Sequence, residues 1–192
     1  MIVNSYEVKK NKKNLVKNNF FLLYGENFGL KKDIKNFITS EIKQKDDSIE
    51  ILSSYENNIL DSEKNFYASV YSGSLFAKKK IMTVYEATDK IIKIISDIYD
   101  KYPENIFLII ISEILGKKSK LRDFFERNKK TICIPCYLDS EKDMGIIAQS
   151  ELKKNNMLLS QEAINLLIEK SNSDRNNLRN EIEKIHSFSL NK

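Results

Sequence analysis

The alternation of hydrophobic and polar positions changes its period once along this chain, and the change divides it in two. Up to about residue 137, short apolar runs alternate with segments whose apolar residues return every three or four positions; after it only the second kind remains. Phe20-Phe21-Leu22-Leu23-Tyr24 is a continuous run that stops at Gly25, as expected of a parallel strand buried on both faces. Asn27 is placed to cap the helix that follows, which carries Leu30, Ile34, Phe37, Ile38 and Ile42 at helical spacing. Residues 48–52 read as a second strand, and Asp61 as the cap of a helix with Phe66, Tyr67, Val70 and Tyr71 on one face.

Residues 81–85 form the third predicted strand, followed by a helix marked by Ile91, Ile92, Ile95 and Ile98. Residues 105–111 are the most apolar strand, which places them at the centre of the sheet. Ser119 caps a helix with Leu121, Phe124 and Phe125, and residues 131–134 close the series; a short basic amphipathic segment, residues 5–16, precedes it. Five strands alternating with helices predict an α/β fold, a five-stranded parallel sheet with right-handed crossovers and helices on both faces.

From Glu141 onward the pattern is helical only. Met144, Ile147, Ala148 and Leu152 share one face; Ser160 caps a second helix, with Leu159 and Ile164 spaced as a hydrophobic staple and Leu167 and Ile168 continuing it. A third helix begins at Asp174 and carries Leu178, Ile182 and Ile185. The pattern predicts an α/β domain over 1–138 and a small three-helix lid over 139–192.

Composition narrows the class. The chain has 192 residues, 41% of them hydrophobic, with five glycines and two prolines, enough for a sizeable core and too few breakers for long linkers. The longest apolar run, residues 106–111, has six residues, too short for a membrane span, and no signal-peptide pattern follows Met1, so the expected location is the cytoplasm. Lys and Arg (32) exceed Asp and Glu (27), a net charge of +5. The lysines are scattered, with small clusters at residues 9–13 and 78–80, which permits contact with nucleic acid without requiring it.

One stretch breaks the rule that turns are polar. Ser72-Gly73-Ser74-Leu75-Phe76-Ala77 presents two large apolar side chains on a flexible turn, and Lys78, Lys79 and Lys80 pull the flank towards water. Leu75 and Phe76 either fold back onto the core or stand out as a plug for a partner's pocket, where burying both would contribute about 3–6 kcal/mol gross.

Other candidate chemistry is incomplete. A strand ending in Gly25 and opening into a helix is where a phosphate-binding loop would lie. The working version needs Gly, four residues, then Gly-Lys-Ser/Thr. Here Gly25-Glu26-Asn27-Phe28-Gly29-Leu30-Lys31-Lys32 brings the second glycine one residue early and puts leucine after it. No Ser/Thr follows Lys31, and Glu26 adds a negative charge against any phosphate. The acidic pair that would position magnesium is also missing: the third strand runs into Tyr85-Glu86 and the fourth into Ser112-Glu113. Nucleotide hydrolysis is therefore not expected, and neither a metal nor another cofactor is implied. Cys133-Ile134-Pro135-Cys136 has C-x-x-C spacing, yet two cysteines and the distant His186 cannot complete a zinc site. Cys133 lies inside a strand rather than at a helix start, which disfavours redox chemistry. His186, near the end of a helix, reads as a solvent-facing or capping residue, and no catalytic triad can be assembled around it.

Four segments in order resemble the delta subunit of the bacterial DNA polymerase III clamp loader: residues 20–26; residues 74–81 with the strand that follows; residues 107–111 continuing to Lys117-Lys118-Ser119-Lys120-Leu121; and residues 174–185, including Leu178-Arg179-Asn180-Glu181-Ile182-Glu183-Lys184. The resemblance spans all 192 residues and corresponds to that family's first two domains. It implies an AAA+ fold without a working ATP site, in agreement with the broken loop at Gly25, Gly29 and Lys31. It also implies a non-catalytic clamp opener whose Leu-Phe pair, here Leu75 and Phe76 flanked by Ser74 and Ala77, enters a hydrophobic pocket on the sliding clamp. The implied partners are that clamp (the beta subunit), the delta-prime and gamma/tau subunits, and primed DNA within the assembled loader, with no membrane. Family members continue into a helical collar domain, which is absent from this sequence. The rival readings are a P-loop-type NTPase with a nonstandard loop and a basic DNA-binding module.

Overall fold

The computed structural model describes residues 1–8, 10, 15, 17–44, 48–73, 77–101 and 103–190. Two compact units are present, Met1–Glu26 with Lys31–Cys136, and Asn27–Leu30 with Tyr137–Lys192.

The first unit is built on five strands, β1 (Phe20–Tyr24), β2 (Ile49–Tyr55), β3 (Lys79–Tyr85), β4 (Ile106–Ser112) and β5 (Thr131–Pro135). All are parallel, in the order β2-β3-β4-β1-β5. Its helices are α1 (Phe28–Lys43), α2 (Glu56–Asp61), α3 (Glu63–Tyr71), α4 (Ile92–Lys101) and α5 (Lys120–Arg127). As the hydrophobic run predicts, β4 is the central strand and every one of its residues is buried.

Strand order dictates the layers. The chain leaves β1, passes to the far edge at β2, then steps back through β3 and β4 and over β1 to β5. With right-handed crossovers, α1 falls on one face and α2–α5 on the other. The core agrees: Phe20, Leu22 and Tyr24 cluster with Ile59, Phe66, Val70, Ile95, Ile98, Leu121 and Phe125, from α2–α5. The alternate residues Phe21 and Leu23 are equally buried and face the opposite way, the side to which α1 brings its buried row Ile34, Ile38 and Ile42.

Local departures from the sequence pattern have local causes. β2 runs on to Tyr55, because Ser53 and Ser54 pair in register with Thr83 and Val84 although neither is apolar. The helix expected after Asp61 is α3, but a further helix, α2, precedes it: Asp61 ends α2 rather than capping α3, and Ser62 joins the two. A 3-10 turn, Asp89–Ile91, opens the next helix, so the buried row is Ile91, Ile94, Ile95 and Ile98 while Ile92 is only partly covered. Of the amphipathic start, Ser5–Glu7 is a 3-10 turn and Val3, Val8 and Leu15 are buried; residues 9, 11–14 and 16 lie outside the described residues.

The border of the sheet at β5 is closed by the chain's own beginning. Ile2 bridges Cys133 in parallel; the Val3 N–H donates to the Cys133 carbonyl (3.0 Å) and the Cys133 N–H to the Met1 carbonyl (2.9 Å). Two residues further on, where the next outward N–H would stand, is Pro135, which has none.

The second unit contains α6 (Glu141–Lys154), α7 (Gln161–Lys170) and α8 (Arg175–Leu190), packed around Met144, Ala148, Leu152, Ile164, Leu167, Leu178 and Ile182. Its helix starts are capped as their residue types require. Ser140 and Asp143 form a reciprocal capping box, Ser160 Oγ accepts from the Ala163 N–H, and Asp174 Oδ1 accepts from Asn176 and Asn177. Leu159 packs on the same cluster as Ile164, completing the staple.

Candidate functional site

The loop between β1 and α1 is where a phosphate would bind in a nucleotide-dependent relative of this fold, and here the protein's own groups fill it. Gly25 has φ +128°, a conformation that disfavours any side chain, and an added Cβ would collide with the Cys136 carbonyl. Its N–H donates to the Glu113 carbonyl at 3.1 Å, and the Cys136 N–H donates to the Tyr24 carbonyl at 2.7 Å, so the loop is stitched to the ends of both neighbouring strands.

Lys31 is buried, at 5% exposure, and turned inward: Nζ donates to the carbonyls of Gly25 (2.7 Å) and Ser112 (2.8 Å). Burial lowers its pKa, a tendency opposed by the nearby Cys136, Glu113 and Glu26. Beside it the Ser112 hydroxyl is buried without a hydrogen-bond partner. Where a magnesium-binding acidic pair would stand, Tyr85 packs at a tilt beside Tyr55, ring centroids 5.5 Å apart, takes a hydrogen bond from Lys35 Nζ (3.2 Å), and leads into an exposed Glu86 at φ +56°.

Gly29 and Asn27 belong to the second unit. Asn27 Oδ1 accepts from the Leu30 N–H (2.9 Å) while its Nδ2 donates to Asp139 Oδ2 (2.8 Å) and the Tyr137 carbonyl (3.0 Å). Arg175 clamps the same Asp139 through Nε (2.8 Å) and Nη2, and its stem lies so close over Gly29 that a Cβ there would come within 2.5 Å of Cγ. The first turn of α1 thus meets a carboxylate already neutralised by arginine. Asp139 and Arg175, 36 residues apart, escape sequence reasoning because no local period links them.

Of residues 72–77, Ser74, Leu75 and Phe76 lie outside the described residues; Gly73 is exposed and Ala77 half-buried. The lysines after it are not all solvated: Lys78 is exposed, but Lys80 is buried at 4% exposure. Lys80 Nζ donates to the Ser69 carbonyl (2.8 Å), the Ser72 carbonyl (2.6 Å) and Ser72 Oγ (3.0 Å), and lies 3.6 Å from Glu50 Oε2. A run of three lysines hides this, since neither periodicity nor composition singles out the third.

Cys133 and Cys136 are free thiols, both fully buried; burial pushes the Cys133 thiol up to about 12, with Glu126 adding to the shift. Such a thiol forms no thiolate near neutrality. His186 lies near the end of α8, as expected, and is half-buried. Among the described residues no three His, Cys, Asp or Glu side chains are placed to hold a metal ion, and no helix is long and apolar enough to cross a membrane.

Comparison with known proteins gives these features a context. No family model matches the chain. It is 28% identical over 172 residues to a probable DNA polymerase III subunit delta of Rickettsia prowazekii, a match covering 87% of this chain and 50% of that protein. The chain thus spans about half the length of the curated relative it matches. Among solved structures, the Bacillus subtilis DNA clamp loader delta protein superposes with TM-score 0.57 at 15% identity, over 96% of this chain and 57% of its own. Domain III of the Thermotoga maritima replication initiation protein DnaA gives 0.60 at 14%, over 97% and 83%. The fold is AAA+-like, as the resemblance implies, and its five-stranded parallel sheet followed by helices is the one the sequence pattern predicts.

Proposed function

We propose that this chain is the sliding-clamp-binding part of a delta-type clamp-loader subunit, which helps to open the clamp during DNA replication without hydrolysing nucleotide itself. The observation that carries this reading is the likeness to a DNA polymerase III subunit delta along 87% of the chain. The inward-turned Lys31 supports the non-catalytic half of it, because the group that would reach a phosphate is already bonded to two carbonyls. In this reading residues 1–138 form the AAA+-like domain with a degenerate site at Gly25, Gly29 and Lys31, and residues 139–192 the lid. No catalytic group or cofactor is assigned.

Leu75 and Phe76, flanked by Ser74 and Ala77, are the proposed anchors. Two adjacent apolar side chains can bury much area in a partner's pocket, and the exposed Lys78 can steer towards an acidic partner. Such an anchor opens a ring by binding the altered interface more tightly than the closed one, a population shift rather than chemistry. The other clamp-loader subunits (delta-prime, gamma/tau) and primed DNA are partners of the assembled complex, in the cytoplasm.

Titrating the chain into the sliding clamp of the same organism tests this. Wild type binds, and Leu75→Ala/Phe76→Ala weakens binding by about 3 kcal/mol, on the order of a hundredfold, with thermal stability retained. Equal binding by the two proteins sinks the reading. Tight, magnesium-dependent ATP binding would favour a true NTPase instead.

A further inference from the structure

Between α3 and α4 lies a cleft of about 500 Å³ lined by aromatic rings and carboxylates. Tyr67 and Tyr71 stand one helical turn apart on α3 and so share a face. Their rings lie within 5° of parallel, with centroids 6.4 Å apart. Tyr67 packs against the core and donates its hydroxyl to Asp97 Oδ2 of α4 at 3.0 Å, which fixes the ring. Burial, and after it that hydrogen bond, push the phenol up to about 12, so it stays a neutral donor near pH 7. Tyr71 is 41% exposed and open to a partner.

The two rings already hold a cation. Lys101, the last residue of α4, places Nζ over both, 6.0 Å from the Tyr67 centroid and 5.0 Å from the Tyr71 centroid. An aromatic face attracts an ammonium at that range, and one cation over two parallel rings means that both present their faces to the same space. Lys101 is exposed, and a long side chain held at the surface gives up much of its rotamer freedom. It is therefore displaceable.

Charge decides what displaces it. Glu63, Asp97 and Asp100 line the cleft together with Lys93 and Lys101. With Lys101 swung aside, three carboxylates face one lysine, which repels phosphates and nucleic acid and attracts a cation. Among the described residues no three His, Cys, Asp or Glu side chains are placed to hold a metal ion, so the cation that fits is organic. A guanidinium suits both features of the cleft: its plane stacks on an aromatic face while its N–H groups fork onto a carboxylate.

We propose that this cleft is a docking site for an arginine side chain of a partner protein, and that Lys101 occupies it in the free chain as an internal substitute. None of the residues involved belongs to the proposed clamp anchor, so the site stands or falls apart from the clamp-binding reading.

The experiment titrates the chain with N-acetyl-arginine methylamide and follows the Tyr67 and Tyr71 ring signals by NMR. N-acetyl-citrulline methylamide, of the same shape without the charge, and spermidine are the comparison probes, and every variant is melted first to establish that it is folded. Capped arginine should move both ring signals saturably, and capped citrulline should not. Lys101→Ala should bind the arginine probe about threefold more tightly, because the internal competitor is gone. Glu63→Gln/Asp100→Asn, at two exposed positions, should bind it about threefold more weakly with the melting temperature unchanged. Absence of a saturable shift in both wild type and Lys101→Ala overturns the site, as does an equal response to citrulline. Unchanged or weaker binding by Lys101→Ala overturns the role of Lys101 as substitute. Spermidine binding as tightly as the arginine probe overturns the assignment to a protein arginine.

Discussion

The ammonium of Lys31 lies 2.7 Å from the carbonyl of Gly25, six residues back, and the same ammonium holds the end of β4 through Ser112. A side chain that could have met an anion instead closes its own loop.

Magnesium-ATP at millimolar concentration should therefore leave the melting temperature of the chain unchanged, because a ligand present at a hundred times its Kd would add about 2.7 kcal/mol. Lys31→Met should lower stability by about 1–3 kcal/mol through the two carbonyls left unpaired. Thermal melts with and without nucleotide check both; stabilisation by ATP in wild type would contradict the first.

Gly25→Ala should cost about 2 kcal/mol or more, since the left-handed φ penalises any side chain and the new methyl must displace the Cys136 backbone. Gly116→Ala, whose Cβ would meet nothing within 4 Å, serves as the control and should stay within about 0.5 kcal/mol. Urea titration of the two variants separates a strained loop from a general intolerance of substitution.

The cysteines should be silent until the sheet opens. A thiol reagent at pH 8 should find essentially none in the folded protein and both in denaturant. Cys133 also contributes to alkaline behaviour. Its thiol pKa rises from 9.0 in the unfolded chain to about 12 in the folded one, so the folded state retains the proton over that window. The corresponding stability is full below pH 9 and lost as pH climbs towards 12, which a Cys133→Ala variant should show less steeply in pH-dependent melts.

Arg175 and Asp139 should behave as a unit. Removing either alone leaves a buried charge and should cost about 3–5 kcal/mol, whereas replacing both with apolar residues should cost much less than the sum. Asp139→Ala also frees Asn27 Nδ2, so it should be the more damaging single change. Additive losses in urea denaturation would show that the pair is not coupled.

What the sequence disclosed was whatever depends on short-range order. Phe20 to Tyr24 announced a buried strand because five consecutive apolar residues allow little else, and Ser119 and Ser160 stand at helix starts because a hydroxyl there accepts a free N–H. Ser53 and Ser54 concealed the last three residues of β2, since their place in the sheet depends on β3 rather than on their own polarity. Asp61 misled because Ser62, next to it, ends one helix and begins another. At the candidate site, the failure of the phosphate loop was legible in residue types alone, but the use made of Lys31 was not: Ser112 lies 81 positions away. The Asp139–Arg175 pair was hidden for the same reason, and Lys80 by standing third in a run of lysines.

The small bridge at Ile2 has a consequence for how the protein can associate. Among the described residues, the sheet has one sealed border and one unsealed one: beside β5 the outward groups are taken by residues 1–3 or deleted by Pro135, while β2 ends the sheet with Ile51 and Tyr55 half exposed. A stack that grows without limit needs two joinable borders per molecule. For the described borders, joining through β2 would use up the free edge of both molecules, and strand addition there would stop at a pair.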